Sequence, residues 1–266
     1  NMGEGINEKG IPDYAPYINM SDNYMIYTKK NYDKKHIGYK SQYNEDLYYI
    51  QKNEYGLWSE FNLFPQPINS DCTEGSACIT NDGKTLFFTR CPIQDATFDC
   101  VDGEGSCDIF VSEFQRDSTW SNPENLGKEV NSYAWDSQPT LSITEDTLFF
   151  VSNRKEGFGL SDIYFTYKDG RGDWVKAQNM GPIINTRGNE YSPFLSKTDK
   201  VFYFSSNGQL FNFGDIKNKK LYRTLDIFKS RLQDEHWTEP INIGPLVNGE
   251  GDEYYFSIDS KSESLY

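Results

Sequence analysis

Short runs of apolar and aromatic residues alternate with polar turns along the whole chain. The most aromatic runs lie at residues 24–28, 85–89, 147–152 and 201–205. Turn-forming residues separate them from the runs that precede them, as in Asn81-Asp82-Gly83. Runs of about four to eight residues bounded by such turns are typical of β-strands. The pattern therefore predicts an all-β protein.

These strands belong to a repeated unit that three residue types mark at fixed spacings. An Asp-apolar-aromatic triplet is followed eleven or twelve residues later by a Trp, and an Asn follows each Trp after eleven more. The triplets begin at Asp46, Asp108, Asp162 and Asp226; the Trp residues are Trp58, Trp120, Trp174 and Trp237; the Asn residues are Asn69, Asn131, Asn185 and Asn248, with Asn7 ahead of the first unit. Each unit accommodates four short strands. A repeated four-stranded sheet predicts a β-propeller, because each blade buries its faces by stacking on its neighbours.

The Asn positions set the expected blade boundaries. We predict a single β-propeller domain over residues 1–266, with blades at about 8–69, 70–131, 132–185, 186–248 and 249–266. The fifth blade is incomplete in this chain. An unfinished blade leaves open sheet edges, so we expect residues outside this sequence to complete it. A longer parent with six or more blades is the alternative.

Composition narrows the classes of partner. Aromatic residues make up 16% of the chain, which suits half-buried strands. The net charge of −14 argues against nucleic-acid binding, which requires clustered Lys and Arg. No apolar run approaches the length that a membrane span needs.

The repeat also resembles a known family. The segments Asp13-Tyr14-Ala15-Pro16 and Ser21-Asp22-Asn23, followed by an aromatic strand, an Asp-Ile-Tyr triplet and a Trp, resemble the TolB-like, WD-like propeller repeat. More narrowly, they resemble the propeller region of OmpA-family cell-envelope lipoproteins of Bacteroidetes, some of which are associated with type IX secretion. This resemblance implies a periplasmic, outer-membrane-associated or cell-surface location in a Gram-negative bacterium.

Residues that occur in every blade are read first as structural. The Trp residues are expected to be wedges between blades, and the triplet Asp residues to stabilise turns. A third repeated position is acidic and begins the first strand of each blade: Asp13, Glu74, Asp136, Glu190 and Glu253. Such acids would ring one mouth of the central channel, where they could bind Ca²⁺ or another cation, or a basic finger of a partner. The alternative is that each acid bonds the backbone of its neighbouring blade.

The connections between the second and third strands of each blade do not repeat. They place aromatic residues and one His on the face that also carries the acids: Tyr32, His36, Tyr39, Phe98, Phe158, Phe211 and Phe213. Long loops on a rigid scaffold are where binding usually resides, so these residues are candidates for contact with a partner. The alternative is that they fold back over the blade edges.

All five Cys residues lie in the second blade, which predicts local disulfides in an oxidising compartment. Adjacent strand ends favour Cys72–Cys91, Cys100–Cys107 would close the insertion, and Cys78 would be a buried leftover. Sequence alone leaves the pairing open. A zinc site is the rival interpretation, although no Cys-x-x-Cys pair is present.

Three functions compete at this point. The first is a non-catalytic binding or scaffold module of the cell envelope, whose partner is a protein or a glycan and which needs no cofactor. The second is a five-bladed glycoside hydrolase or lyase that uses carboxylates at the channel mouth, since such hydrolases need two carboxylates across a sugar site. The third is a spacer without a ligand of its own. Whether the chain is an enzyme stays open, with the balance toward binding.

Overall fold

A computed structural model describes residues 13–19, 22–32, 43–92, 103, 105–196, 200–210 and 224–259. Of Tyr32 and Tyr43 it describes the backbone alone. The chain divides into two compact units, residues 1–139 and 140–266. All regular structure in the described ranges is β. The same ranges contain no helix of the length and apolarity that crossing a bilayer would require.

The first two sheets each contain four strands that follow chain order, so every neighbour in the sheet is also a neighbour in sequence. The first sheet has the order β1-β2-β3-β4 and the second β5-β6-β7-β8. Every pairing is antiparallel. The strands are β1 (Asp13–Ile18), β2 (Tyr24–Tyr32), β3 (Tyr43–Gln51), β4 (Asn62–Leu63), β5 (Thr73–Ile79), β6 (Thr85–Cys91), β7 (Asp108–Glu113) and β8 (Glu124–Asn125).

The third and fourth sheets repeat this arrangement. The third sheet runs β12-β11-β10-β9, and the division between the units falls within β9. The fourth runs β13-β14-β15-β16, and β17 also pairs with β15. The strands are β9 (Asp136–Leu141), β10 (Thr147–Ser152), β11 (Asp162–Tyr167), β12 (Gln178–Asn179), β13 (Glu190–Leu195), β14 (Val201–Ser206), β15 (Asp226–Gln233), β16 (His236–Trp237) and β17 (Ile241–Asn242).

Four four-stranded antiparallel blades in an all-β chain confirm the predicted β-propeller fold. The expected first strand of a fifth blade forms no named strand within the described residues. That segment nevertheless packs on the fourth blade, because Phe256 forms a buried cluster with Phe194 and Ile227.

The backbone takes an unusual conformation two residues after each acid, and in the first, second and fourth blades a bulge shifts the register of the first strand at this point. The residue there has a positive φ in all five units: Ala15, Ser76, Gln138, Ser192 and Tyr255. Such a backbone is uncommon for residues other than Gly, and it turns an N–H away from its own sheet. Ser76 N–H donates to Thr28 Oγ1 of the preceding blade at 2.9 Å, and Gln138 N–H donates to Thr89 Oγ1 at 3.2 Å. This conformation therefore links neighbouring blades.

The repeated Asn closes each blade with a side-chain clamp on its third strand. Asn131 Oδ1 accepts from Ile109 N–H at 2.9 Å, and its Nδ2 donates to Ile109 C=O at 3.0 Å. Asn69, Asn185 and Asn248 make the same pair of bonds with their own blades. All four Asn side chains are buried. The side-chain amide, which both donates and accepts, thus bonds the third strand as the backbone of a neighbouring strand would.

The Trp residues do not share one environment. Trp120 fits the expected wedge, since its ring lies 5.9 Å from that of Phe64 in the preceding blade. Trp237 instead contacts Phe202 of its own blade. Trp58 and Trp174 each lie under the ammonium group of a Lys on the adjacent strand of their own blade.

Candidate functional site

The five repeated acids differ in burial. Glu74, Asp136 and Glu190 lie at the starts of β5, β9 and β13, as the second residue of β5 and the first of the other two, and are fully buried. Asp13 and Glu253 are partly exposed. The backbone N–H of three acids reaches the preceding blade: Asp136 N–H donates to Cys107 C=O, Glu190 to Ser161 C=O and Glu253 to Leu225 C=O. At these three positions the main chain of the acid therefore contacts the preceding blade.

Each buried carboxylate binds a hydroxyl residue four positions earlier in its own chain segment. Thr186 donates to Glu190 through its backbone N–H at 2.8 Å and its Oγ1 at 2.6 Å. Ser132 donates to Asp136 in the same way, and Ser70 donates to Glu74. These bonds of the carboxylate fix the connection into the blade's first strand, in addition to the main-chain bonds to the preceding blade.

Glu74 and Glu190 each have a second partner sixteen residues later, at the end of the second strand. Arg90 Nε donates to Glu74 Oε1 at 2.8 Å, and Ser206 Oγ donates to Glu190 Oε1 at 2.6 Å. Lys29 lies opposite Asp13 in the β1–β2 register. Sequence reasoning missed these residues, although the constant spacing between acid and partner is visible in the sequence.

Burial raises the pKa of the carboxyl groups of Glu74 and Glu190. Burial raises the pKa of Glu190 to about 7, because losing water costs more than the bonds from Ser206 and Thr186 return. Burial also raises the pKa of Glu74, against the opposing effects of Ser70 and Arg90. Glu190 can therefore hold a proton near neutrality, but its side chain has no exposed surface that a ligand could reach.

No group of three or more His, Cys, Asp or Glu side chains in the described ranges is arranged to hold a metal ion. A cation or a basic partner finger at the acids stays a prediction.

Of the predicted loop-face aromatics, Phe158 is described and is 51% exposed. His36, Tyr39, Phe98, Phe211, Phe213 and the side chain of Tyr32 lie outside the described residues. In the unit of residues 140–266, the connections at this end of the strands also expose four aliphatic residues that sequence reasoning missed: Leu160 at 68%, Ile183 at 39%, Leu210 at 70% and Leu246 at 99%. We call these four residues and Phe158 the apolar loop residues.

Close glycine contacts hold these loops together. A Cβ on Gly159 would clash with the carbonyl oxygens of Thr186 and Gly188, and a Cβ on Gly208 would clash with the Thr186 side chain. Leu160 N–H also donates to Gly188 C=O at 2.8 Å. Backbone packing at this distance leaves little freedom, so Phe158, Leu160 and Leu210, which flank these glycines in sequence, stand on a fixed base.

The triplet Asp helps to shape the same loop. Asp162 accepts from the N–H groups of Phe158 and Gly159, the latter at 3.0 Å, and from Asn179 Nδ2 at 2.8 Å. The expected turn role holds here. Asp108 and Asp226 share the bond from an Asn side chain: Asp108 accepts from Asn125 Nδ2 on β8, and Asp226 accepts from Asn242 Nδ2 on β17.

The expected disulfide pairing is wrong. The structure joins Cys91 to Cys107, which excludes both Cys72–Cys91 and Cys100–Cys107. The cause is the strand register: Arg90 pairs with Asp108, so the next residues outward, Cys91 and Cys107, face each other. Cys72 is also disulfide-bonded, Cys100 lies outside the described residues, and Cys78 is a buried free thiol as expected.

No protein-family model matches the chain, and no curated protein matches it by sequence. Solved structures do match. A putative TolB from Agrobacterium tumefaciens is 13% identical, covers 92% of this chain and 86% of its own, and has a TM-score of 0.47. The Bacteroides ovatus xyloglucan PUL GH43B is 13% identical with a TM-score of 0.50, over 93% of this chain and 43% of its own. A Penicillium chrysogenum α-L-arabinanase complexed with arabinobiose is 11% identical with a TM-score of 0.50, over 86% of this chain and 65% of its own. At these identities the last two similarities concern the fold alone.

Proposed function

We propose that the chain is a non-catalytic binding or scaffold module of the bacterial cell envelope that presents its loop face to a protein or glycan partner. The observation that carries this proposal is the exposure of the apolar loop residues, of which Phe158, Leu160 and Leu210 stand on a base fixed by Gly159 and Gly208. Exposed apolar side chains on rigid loops are characteristic of surfaces that bind other molecules. In this proposal the buried acids Glu74, Asp136 and Glu190 stabilise the scaffold.

The envelope location rests on two supports. The Cys91–Cys107 disulfide fits an oxidising compartment, since thiols stay reduced in the cytosol. The repeat also resembles the propellers of OmpA-family lipoproteins of Bacteroidetes, including the type IX secretion-associated kind. We therefore propose a periplasmic, outer-membrane-associated or cell-surface site of action.

The competing proposal is a glycoside hydrolase. Glu190 favours it, because a carboxyl group with a pKa of about 7 is suited to act as a general acid. Two of the similar solved structures are also named as GH43B and as an arabinanase. Against it, Glu190 is fully buried and engaged by Thr186 and Ser206, so a sugar would have to displace these bonds.

A capture experiment tests the binding proposal. The purified chain is immobilised and exposed to an envelope extract of the organism that encodes it, in parallel with a Leu160→Asp, Leu246→Asp double variant. The matched control is a Tyr55→Asp, Leu57→Asp double variant. These two residues are 79% and 64% exposed in the turn at the opposite ends of the strands. We expect the double variant alone to lose the captured partner. Equal loss in the control, or equal retention in both, would contradict the proposal.

A further inference from the structure

A groove of about 650 Å³ lies between the first and second blades, at the ends of the strands away from the acids. The turns between first and second strands form its sides, and Phe114 and Trp120 of the second blade form part of its wall. This volume is typical of sites for small ligands. The groove lies entirely within residues 1–139 and uses none of the apolar loop residues, so it is independent of the function proposed above.

Four aromatic rings line the groove. Tyr24 and Tyr49 stack with their centroids 5.3 Å apart and their planes 9° from parallel. Phe114, which is 40% exposed, meets Trp120 edge to face at 5.3 Å. Burial and the neighbouring Tyr49 raise the pKa of Tyr24 above its usual range, so its hydroxyl remains a hydrogen-bond donor.

Polar groups of both signs surround these rings. Asn23, Gln51, Asn81, Asp82 and Lys84 line the groove and are exposed. Asp82 is held in place because its Oδ1 accepts from Thr80 Oγ1 at 2.7 Å and from Lys84 N–H at 3.0 Å. The rim therefore offers a fixed carboxylate acceptor together with amide and ammonium groups.

The aromatic pair is a departure from the repeat. The position of Tyr24 is occupied in the other blades by Thr85, Thr147 and Val201, and that of Tyr49 by Val111, Phe165 and Lys229. Small β-branched residues suffice to build the second strand at this point. The architecture shared by all blades therefore does not account for two stacked Tyr rings in one of them.

We propose that this groove binds a short neutral oligosaccharide. A pyranose ring has apolar C–H faces that fit against aromatic rings, and its hydroxyl groups both donate and accept, as the rim requires. A wholly apolar ligand would remove Asp82 and Lys84 from water without replacing their hydrogen bonds, which is costly. An anionic ligand would meet the Asp82 carboxylate, and a cationic one would meet the Lys84 ammonium group.

Calorimetric titration of the full chain with cellotriose, maltotriose and N-acetylchitotriose, each into the millimolar range, tests this proposal. We expect at least one of these trisaccharides to bind. Tyr49→Ala should weaken that binding roughly tenfold, which corresponds to about 1.4 kcal/mol. Asn81→Ala is the second variant, because Asn81 is exposed on a turn and its truncation spares the core. Tyr167→Ala is the control, since Tyr167 is 43% exposed but does not line the groove.

Two results would overturn the proposal: none of the three trisaccharides binds, or a trisaccharide binds with the same affinity to Tyr49→Ala and Asn81→Ala as to the unaltered chain. Neither result bears on the loop face, because the substitutions that test it, at Leu160 and Leu246, lie in the other unit.

Discussion

Replacement of Glu190 by Gln should remove a specific part of the pH dependence of stability. The carboxylate of Glu190 is fully buried and accepts from Thr186 and Ser206. Burial raises its pKa from 4.5 to about 7. The folded chain therefore holds this proton more tightly than the unfolded chain does.

The sign and size of the effect follow from proton linkage. Below pH 4.5 both states are protonated, and the folded state is at its most stable with respect to this group. Between pH 4.5 and 7 the unfolded chain has released the proton while Glu190 retains it, so the free energy of unfolding falls as pH rises. The difference in pKa corresponds to about 3 kcal/mol, which is fully lost above pH 7.

Gln is a close mimic of the protonated acid. Its oxygen can accept from Thr186 N–H, and its NH₂ group can donate to the hydroxyl oxygens of Thr186 and Ser206. Urea unfolding followed by Trp fluorescence at intervals from pH 4.5 to 8 measures the free energy of unfolding for both proteins. We expect the stability of Glu190→Gln relative to the unaltered chain to rise by about 3 kcal/mol across this range.

Glu124→Gln is the matched control, since Glu124 is an exposed acid on β8. It should leave the pH profile of the unaltered chain in place. A constant difference between Glu190→Gln and the unaltered chain at every pH would refute the reasoning, because it would mean that Glu190 titrates alike in the folded and unfolded states.

Three further substitutions test the scaffold, each by urea unfolding at neutral pH. Arg90→Met should cost about 3–5 kcal/mol because it leaves Glu74 buried without its cation; adding Glu74→Gln should recover part of this loss, and no recovery would argue against the ion pair. Asn131→Ala should cost at least about 2 kcal/mol, since the N–H and C=O of Ile109 lose their clamp, and a cost below 1 kcal/mol would contradict that role. Gly208→Ala should cost about 1–3 kcal/mol through overpacking, whereas Gly170→Ala, which has no neighbour within 4 Å, should be nearly neutral; similar costs in both would disprove the glycine contact.

The blades were predictable from the sequence because their structural residues recur at constant spacing. The clamp of Asn131 on Ile109, for example, spans 22 residues, and the same separation recurs in the first and third blades. The partners Arg90 and Ser206 share one such spacing from their acids, but their side chains differ chemically, so composition gave no reason to align them.

Other features depended on register or on exposure, which the sequence pattern does not determine. A shift of one residue separates the expected neighbour of Cys91 from the observed one: Thr73, not Cys72, lies opposite it, and Cys107 lies on its other side. Leu160 and Leu246 were missed because an aliphatic residue in a loop looks in sequence like one that is buried. The repeat places Glu74 and Glu190 at the start of a first strand, but it does not show that both are fully buried, which is uncommon for acidic side chains.

The Asn clamp and the backbone bond of the acid together define where one module of this protein ends and the next begins. Asn131 reaches back to Ile109 of its own blade, and five residues later Asp136 N–H donates to Cys107 of that same blade. The Asn clamp thus closes one blade, and the acid that follows it in the chain joins the next blade to that one. A gene duplication or an engineered insertion that runs from one Asn to the next would carry both contacts with it, so the number of repeats can change without a new junction having to be invented.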